Sequence, residues 1–313
     1  MTQPIRIGTR ASLLAKTQAE LVATMIAERL GRETELVEVT TEGDRTQVAG
    51  TPLEQAGGTG VFVSALRDAL LRGEVDVAVH SLKDLPTAAP EGIALAAVPP
   101  REDPRDVVVA RDGLTLGELP AGSRVGTGSP RRAAQLLALG LGLDVVPIRG
   151  NVDTRLKKVH AGDLDGVVLA RAGLSRIGRE DEITETIDPI QMLPAPGQGA
   201  LAVEVAASAS VLADQVRAAL DDLQTRAAVT AERELLRVLE AGCSAPIGAL
   251  AEVAEGDDGP EVWLRGVVAA LDGSHTVRLS ASGDASDPAA VGRRLAQDLL
   301  AEGAAGLMQE RAS

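Results

Sequence analysis

A single cysteine and four cation-bearing loop segments are the parts of this 313-residue chain that could do chemistry. Cys243 follows a helical run and lies in the turn-like string 241–248, which contains two glycines. One cysteine cannot close an intrachain disulfide, and a glycine-rich turn is a poor place to bury a small apolar side chain. A buried, inert thiol is the common alternative for a free cysteine. The position in a turn favours a thiol that reacts or carries a ligand.

The first cation-bearing segment, residues 126–132, leads from a predicted strand into a predicted helix. Ser129 suits the N-cap and Pro130 the first helical position, and Arg131 and Arg132 follow. Two cations in a first turn oppose the helix dipole at about 0.3–1 kcal/mol each. Free N–H groups, a cap and two guanidiniums together make an anion site. The alternative is two solvated arginines on the surface.

Two further turns repeat this design. One has a strand end, a glycine, an asparagine cap and a helix, with Arg149 and Arg155 around its start, and the turn after the first strand carries Arg10 and Ser12. Arg176 follows another apolar run and could join them, although a lone arginine is most often solvent-facing. Open α/β folds bind ligands at the carboxyl ends of their strands, where these residues are expected to lie. The sequence therefore predicts an anionic ligand.

The fourth segment, residues 77–86, is an apolar strand that ends abruptly in polar side chains before a proline. Lys83 and Asp84 could form a plain surface ion pair. Alternatively, an ionised Asp84 held among cations could stabilise a cationic intermediate. His80 is interpreted as a structural residue at the strand end. With three histidines and one cysteine, the sequence contains no metal-ligand pattern.

Composition argues against several classes of function. The net charge of −14 gives no bulk attraction to nucleic acid or anionic membranes. Phe62 and Trp263 are the only aromatic side chains, too few for the stacking platforms of a single-strand binder. No apolar run is long enough to span a bilayer, and the first residues do not resemble a signal peptide, so we expect a cytosolic chain with a reduced thiol. Phosphate-binding nucleotide loops and the serine-hydrolase elbow are absent from the sequence.

The elements that must position these residues follow from hydrophobic periodicity. Strands are predicted at residues 5–8, 35–40, 75–80, 93–98, 107–110, 124–126, 145–148, 166–170 and 202–205, then at 261–271 and 275–282. Helices are predicted at residues 12–30, 62–71, 130–139, 152–160, 212–240 (broken once) and 288–302. The alternation predicts two α/β lobes, with a linker near residues 99–104, and a smaller α+β domain from about residue 220.

Six strings resemble the porphobilinogen deaminase family, also called the hydroxymethylbilane synthases. They occur in family order and spacing at residues 6–12, 78–86, 128–132, 149–156, 196–201 and 240–243. The resemblance implies two periplasmic-binding-protein-like α/β lobes around a cleft and a smaller α+β C-terminal domain that carries the cysteine. It implies an N-terminal lobe of residues 1–99 with 200–217, a second lobe of 105–193 and a C-terminal domain of 222–313. The return of the chain to the first lobe comes from the resemblance alone.

The resemblance also implies a transferase of tetrapyrrole (heme) biosynthesis. Cys243 would hold a dipyrromethane cofactor by a thioether bond, and four porphobilinogen molecules would be condensed onto it head to tail. Four ammonia molecules and, after hydrolysis, hydroxymethylbilane would be released. The implied catalytic residue is Asp84. Besides Cys243, the implied cofactor contacts are Lys83, Ser129, Arg131 and Arg132, and the implied substrate contacts are Arg10, Ser12, Arg149, Arg155, Arg176 and Gln198. No metal is implied.

One loop departs from the family pattern. Gln55 and Thr59 stand where many members have lysines, which places the contribution of the possible lid at residues 42–60 in doubt. The resemblance implies a monomer that binds porphobilinogen and neither nucleic acid nor membrane. The main alternative is a cytosolic two-lobe module that binds an anion or solute without catalysis. A phosphate-handling transferase would be expected to show a nucleotide loop or a metal site.

Overall fold

The computed structural model describes residues 3–39, 60–239, 246–257 and 259–309. The chain divides into two compact units, which we call unit 1 (residues 1–102 and 200–226) and unit 2 (residues 103–199 and 227–313). Within the described ranges, no helix is both long and apolar enough to cross a membrane.

The strands are β1 (Ile5–Thr9), β2 (Thr34–Glu38), β3 (Val77–Ser81), β4 (Ile93–Ala97), β5 (Asp106–Ala110), β6 (Arg124–Thr127), β7 (Asp144–Pro147), β8 (Gly166–Ala170), β9 (Glu185–Thr186), β10 (Leu201–Ala206), β11 (Ile247–Gly256), β12 (Gly259–Ala269) and β13 (Thr276–Asp284). The helices are α1 (Leu13–Leu30), α2 (Gly60–Leu71), α3 (Pro130–Ala138), α4 (Val152–His160), α5 (Arg171–Arg176), α6 (Ser210–Leu220), α7 (Leu223–Val238), α8 (Pro288–Ala301) and α9 (Ala304–Gln309).

Unit 1 is a five-stranded mixed sheet with helices on both faces. Its strand order is β2-β1-β3-β10-β4, with β1, β2 and β3 parallel and β10 antiparallel to its two neighbours. The strands are nearly continuous apolar runs because both faces are covered. Residues of α1 and α6 pack with Val79 and Val203 on one face, and Leu66 and Leu70 of α2 pack with Ala78 on the other.

The first part of unit 2 has a second five-stranded sheet with an equivalent order, β7-β6-β8-β5-β9. Strands β6, β7 and β8 are parallel, and β5 runs antiparallel between β8 and β9. Alternate side chains of β5 and β8 enter two separate cores, one of which contains Leu136 of α3 and the other Leu156 of α4. The two sheets therefore expose the carboxyl ends of their parallel strands in the same way.

The second part of unit 2 is a smaller α+β domain. Strands β11, β12 and β13 form an antiparallel meander, and α7, α8 and α9 cover one face of it through an aliphatic core. The other face is joined to the loop before β10 by a small cluster of Leu193, Leu250 and Val267. Helix α7, which precedes Cys243 in the sequence, is thus part of this core.

Every helix and strand predicted from the sequence is present, each within two residues at either end, and the break in the long helix falls between Leu220 and Leu223. The α/β class of the lobes and the smaller α+β domain are confirmed. Strands β9 and β11 and the short helices α5 and α9 were not predicted; β11 is rich in alanine, which is depleted in strands. The exact domain limits stay a prediction.

Candidate functional site

Apart from Gln198, which lies in the loop before β10, the described site residues of both units come from segments that follow the carboxyl ends of parallel strands. In unit 1 these segments follow β1 and β3, and in unit 2 they follow β6, β7 and β8. Parallel strands end at one edge of a sheet, so each unit collects its candidate residues at a single edge.

In unit 1, the turn after β1 leads directly into α1. Arg10 and Ser12 are half-buried there, and the Ser12 hydroxyl accepts a hydrogen bond from the Ala15 N–H at 3.4 Å, which makes Ser12 the N-cap. Gln18, one turn further along α1, is buried and donates to the Ser81 hydroxyl at 3.0 Å. Helix α1 is thereby attached to the last residue of β3.

Asp84 lies in a short 3-10 turn, Leu82–Asp84, immediately after β3. The Leu82 N–H donates to the Ala200 carbonyl at 3.0 Å, and the Leu85 N–H closes the turn on the Leu82 carbonyl at 3.1 Å. Leu82 and Leu85 are buried, whereas Lys83 and Asp84 are half-buried. The apolar side chains anchor the turn, and the polar ones between them remain accessible.

In unit 2, α3 begins as the sequence predicts. Ser129 is the N-cap, with its hydroxyl accepting from the Arg132 N–H at 3.4 Å, and Pro130 opens the helix. The preceding Gly128 leaves no room for a side chain, since a Cβ there would lie 2.6 Å from the Ile148 carbonyl oxygen. The absence of a side chain brings the backbone after β6 against the backbone after β7.

Arg131 and Arg132 are buried and share one carboxylate, that of Asp106 at the start of β5. Arg131 Nη1 lies 2.8 Å from Asp106 Oδ2, and Arg132 Nη2 lies 2.8 Å from Oδ1. Arg131 also donates to the Leu193 carbonyl and Arg132 to the Val168 carbonyl. The alternative of two solvated surface arginines is wrong, because the carboxylate draws both guanidiniums into the interior.

Gln198 completes this cluster. Its amide nitrogen donates to Asp106 Oδ1 and to the Pro104 carbonyl, both at 2.7 Å. Burial alone would raise the pKa of Asp106, but the charges of Arg131 and Arg132 and their hydrogen bonds outweigh it and hold that pKa well below its usual range. Two guanidiniums and one ionised carboxylate leave the cluster with a net positive charge.

Arg155 lies beside the same turn. Its Nη2 is 3.8 Å from the position that a Cβ on Gly128 would take, and its Nε donates to the Gly150 carbonyl at 2.9 Å. Burial and the nearby charge of Arg132 lower the pKa of Arg155 to about 10. A desolvated guanidinium beside a second cation favours a bound anion, which would offset both effects.

The remaining arginines of the predicted set occupy the neighbouring strand ends. Arg149 is exposed between β7 and α4, where Gly150 has φ +107° and Asn151 caps α4 by accepting from the Thr154 N–H at 2.9 Å. Arg176, at the end of α5, is half-buried and donates to the Gly199 carbonyl at 2.6 Å. This bond attaches α5 to the loop that carries Gln198.

Two buried acids near these edges, Asp106 and Glu204, were missed from the sequence, together with the half-buried Arg67. Glu204 is buried in β10, and Arg67 of α2 forms a two-point ion pair with it. A carboxylate within or at the head of an apolar strand was the available signal. Both acids stand in runs of Val, Leu and Ala, where a charge has to find a buried partner.

Cys243 lies outside the described residues, as do Gln55, Thr59 and all of the possible lid before Gly60. Among the residues that are described, no group of three or more His, Cys, Asp or Glu side chains could hold a metal ion.

Two family models match the chain. The family described as "Porphobilinogen deaminase, dipyromethane cofactor binding domain" matches residues 5–214. The family described as "Porphobilinogen deaminase, C-terminal domain" matches residues 226–301.

Individual proteins match over nearly the whole chain. Porphobilinogen deaminase 1 of Streptomyces avermitilis is 60% identical over 323 residues, which cover 99% of this chain and 98% of that protein. Porphobilinogen deaminase of Mycobacterium tuberculosis is 60% identical over 309 residues, covering 97% and 98%. Among solved structures, a periplasmic substrate-binding protein of an ABC transporter from Coxiella burnetii has a TM-score of 0.43 at 14% identity, covering 69% of this chain and 91% of that chain.

Proposed function

This chain belongs to the porphobilinogen deaminase family, and we propose that Cys243 carries the family's dipyrromethane while Asp84 serves the condensation of four porphobilinogen molecules onto it. The reaction makes the chain a transferase. The observation that carries the proposal is the 60% identity over nearly the entire chain, since that identity includes both lobes and the cysteine-bearing domain. A binding module without catalysis is not favoured by these matches.

The described residues of unit 2 fit a ligand that bears several carboxylates. The buried cluster of Arg131, Arg132 and Asp106 carries a net positive charge, and Arg131 Nε is buried without a hydrogen bond to any described residue. Arg155 adds a desolvated guanidinium beside the N-terminus of α3. When bound, the dipyrromethane supplies the terminal pyrrole carbon to which each new unit is joined. The arginines hold its acetate and propionate groups and those of the growing chain.

Asp84 acts on the porphobilinogen that is being added. The protonated aminomethyl group loses neutral ammonia: the C–N bond breaks, its electron pair stays with the nitrogen, and a cationic methylene-pyrrolenine remains. A carboxylate fixed in the Leu82–Asp84 turn stabilises this cation and accepts hydrogen bonds from pyrrole N–H groups. The new C–C bond then releases one proton from the ring that was attacked, and Asp84 is placed to take it. Arg10 and Ser12 bind the carboxylates of the same substrate, and Lys83 binds those of the dipyrromethane.

The product of four such steps is released by water as hydroxymethylbilane. The thioether to Cys243 forms from a free thiol, which a reducing cytosol maintains, so the chain acts in the cytosol. We take it to act as a monomer, as the family resemblance implies; sedimentation of the purified protein tests this directly.

The first experiment is the intact mass of the purified protein beside Cys243→Ala. We expect the mass of two linked pyrrole units above the sequence value, and we expect that increment to be absent from the variant. An unloaded preparation is incubated with porphobilinogen before it is weighed. No gain of mass at Cys243 after incubation would contradict the assignment of the cofactor residue.

The second experiment tests Asp84 in cofactor-loaded protein. Asp84→Asn should reduce turnover by at least 100-fold without loss of the bound cofactor, because the amide cannot balance a cation. Glu91→Gln, which removes an exposed carboxylate in the same unit, is the matched control and should keep normal turnover. Full activity of Asp84→Asn would remove Asp84 from the chemistry while leaving the family assignment intact.

A further inference from the structure

Unit 1 contains a buried ionic cluster that the reaction, as described above, does not use. Glu204 of β10 is almost completely buried and receives two hydrogen bonds from Arg67 of α2, Nε to Oε2 at 2.9 Å and Nη2 to Oε1 at 2.7 Å. His80 of β3 is also buried, with its Nε2 3.3 Å from Glu204 Oε2. We call Glu204, Arg67 and His80 the β10 cluster.

Strand register explains why these side chains meet. Ala202 pairs with His80 and Glu204 pairs with Ala78, so His80 and Glu204 point to the same face of the sheet, two positions apart. Helix α2 packs on that face through Leu66 and Leu70, and Arg67 reaches the carboxylate from it. The β10 cluster thereby connects β10, β3 and α2.

Stability alone does not explain a carboxylate in this place. Burial by itself would raise the pKa of Glu204, whereas the contacts with His80 and Arg67 lower it to about 2, so the group stays ionised. A buried ion pair is often no more stabilising than apolar side chains of similar volume, since its desolvation cancels the attraction. The neighbouring positions Val203 and Val205 are such apolar side chains. The ionic contact instead holds the Arg67 guanidinium and the Glu204 carboxylate in one fixed mutual orientation.

The β10 cluster is connected to the catalytic turn by a short, continuous path. His80 is followed by Ser81, which pairs with Leu201, and then by Leu82, whose N–H donates to the Ala200 carbonyl at 3.0 Å. The 3-10 turn that presents Asp84 begins at Leu82. Three residues therefore separate His80, which lies against Glu204, from Asp84, all of them in the strand end or in the turn.

We propose that Glu204 is a positioning residue for the reaction: through His80 and Arg67 it fixes the end of β3 against β10 and α2, and so fixes the turn that presents Asp84. This rests on the proposed role of Asp84. Without the carboxylate, Arg67 loses its acceptor, His80 loses the charge that lies 3.3 Å from its Nε2, and the strand end gains freedom. Because the substrate carboxylates are bound by other residues, the loss falls on kcat and leaves KM nearly unchanged.

The test compares Glu204→Gln with Val205→Ala, both as cofactor-loaded protein. Val205 is a buried residue of the same strand that lies further from the turn and outside the β10 cluster, so its truncation destabilises unit 1 without removing the acceptor. We expect Glu204→Gln to lower kcat at least tenfold with KM within about threefold of wild type and with the cofactor mass retained. Val205→Ala should lower the unfolding temperature and leave kcat within about twofold.

Equal kcat losses in the two variants at matched folded fractions would overturn the proposal, because the effect would then be one of stability. If Glu204→Gln does not fold, Arg67→Lys decides in its place, since lysine keeps the charge but loses the two-point geometry. A threefold or larger loss of kcat at unchanged KM supports positioning, and wild-type kcat overturns it. Wild type and Asp84→Asn are assayed alongside. An inactive wild type refutes the proposed function. If the wild type is active, Asp84→Asn is inactive and Glu204→Gln has normal kcat, only the positioning role is refuted.

Discussion

The two five-stranded sheets have the same strand order, and each buries one acid on its antiparallel strand, but the two acids stand at different depths. In unit 2, Asp106 pairs with Ala170, the last residue of β8. In unit 1, the equivalent position opposite Ser81, the last residue of β3, is Leu201, and Glu204 lies three positions further along β10. One acid therefore stands at the edge formed by the carboxyl ends of the parallel strands, and the other stands beneath it.

This difference in depth corresponds to a difference in task. Asp106 directly contacts two arginines of the candidate anion site and sets the direction of both guanidiniums. Glu204 contacts Arg67 and His80, neither of which belongs to the predicted ligand contacts, and it reaches the chemistry only through the chain. Under the two proposals, the same fold uses a buried acid once to orient binding groups and once to support the turn that carries Asp84.

The largest effect should come from removing the acid at the edge. Asp106→Asn leaves Arg131 and Arg132 buried without a counter-charge, and we expect unit 2 to lose about 3–5 kcal/mol of unfolding free energy. Urea unfolding monitored by circular dichroism measures this. The loss should exceed that of Glu204→Gln, since Arg67 is 12% exposed and the two arginines of unit 2 are 4% and 7% exposed.

Asp112→Asn is the matched control for Asp106→Asn. Asp112 is an exposed partner of Arg111 with φ +58°, a backbone conformation that asparagine tolerates. Its substitution should change the unfolding free energy by less than about 0.5 kcal/mol. An equally small change for Asp106→Asn would contradict the expectation that the buried Asp106 contributes more unfolding free energy than the exposed Asp112.

The acid beneath the edge should be identifiable by its pH dependence. An acid whose pKa is lowered on folding stabilises the protein above its unfolded pKa, and this stabilisation is lost as the pH falls towards the folded pKa. For Glu204 the window runs from 4.5 down to about 2. The difference in unfolding free energy between wild type and Glu204→Gln should therefore be largest near neutral pH and shrink by roughly 2–3 kcal/mol across that window.

Urea titrations at pH 6 and pH 3 test this expectation. The corresponding difference for Asp106→Asn should shrink less by pH 3, because the loss begins only below the ordinary aspartate pKa of 3.8 and its two arginine partners hold the pKa of Asp106 well below that value in the folded protein. A difference for Glu204→Gln that is the same at both pH values would show that the carboxylate does not stabilise the fold through its charge.

Most of the fold could be predicted because its strands and helices have clear periods. The N-caps Ser129 and Asn151, the proline that opens α3 and the break before Leu223 were all readable from local sequence. Strand β11 could not be read, since its alanine-rich sequence gives no strand signal and its pairing with β12 is a tertiary contact. The two-residue strand β9 exists only through its pairing with β5.

The site was predictable to the extent that its residues occupy strand ends and helix starts. Asp84 and the arginines stand at such positions, and the sequence located them there. The partner of Arg131 and Arg132 could not be predicted, because Asp106 is about 25 residues away in the sequence and meets them only when β5 inserts beside β8. For the same reason Glu204 and Arg67, 137 residues apart, gave no sign of their pairing.

A third and smaller effect concerns the cation at the edge of unit 2. Arg155 is desolvated, lies near Arg132 and donates from its Nε to the Gly150 carbonyl. In a Cys243→Ala background without cofactor, Arg155→Met should raise the unfolding free energy by about 1 kcal/mol, since it removes a buried charge and a repulsion. In loaded protein the gain should vanish, because the arginine then has an anion.

Thermal unfolding of both backgrounds measures this difference. Lys157→Met, at an exposed position on the same helix, is the control and should behave alike with and without cofactor. A stabilisation by Arg155→Met that is equal in the two backgrounds would indicate that Arg155 does not meet the cofactor.

The smallest effect distinguishes the two helix starts of the same edge. The Asn151 side chain accepts hydrogen bonds from the Thr154 N–H and hydroxyl, both at 2.9 Å, whereas Ser129 accepts from the Arg132 N–H at 3.4 Å. Asn151→Ala should therefore cost about 1 kcal/mol of unfolding free energy and Ser129→Ala only a few tenths. A loss of unfolding free energy for Ser129→Ala as large as that for Asn151→Ala would mean that the start of α3 is held by its cap and not by Asp106. The comparison of the two caps therefore also measures how strongly the buried Asp106 fixes this edge.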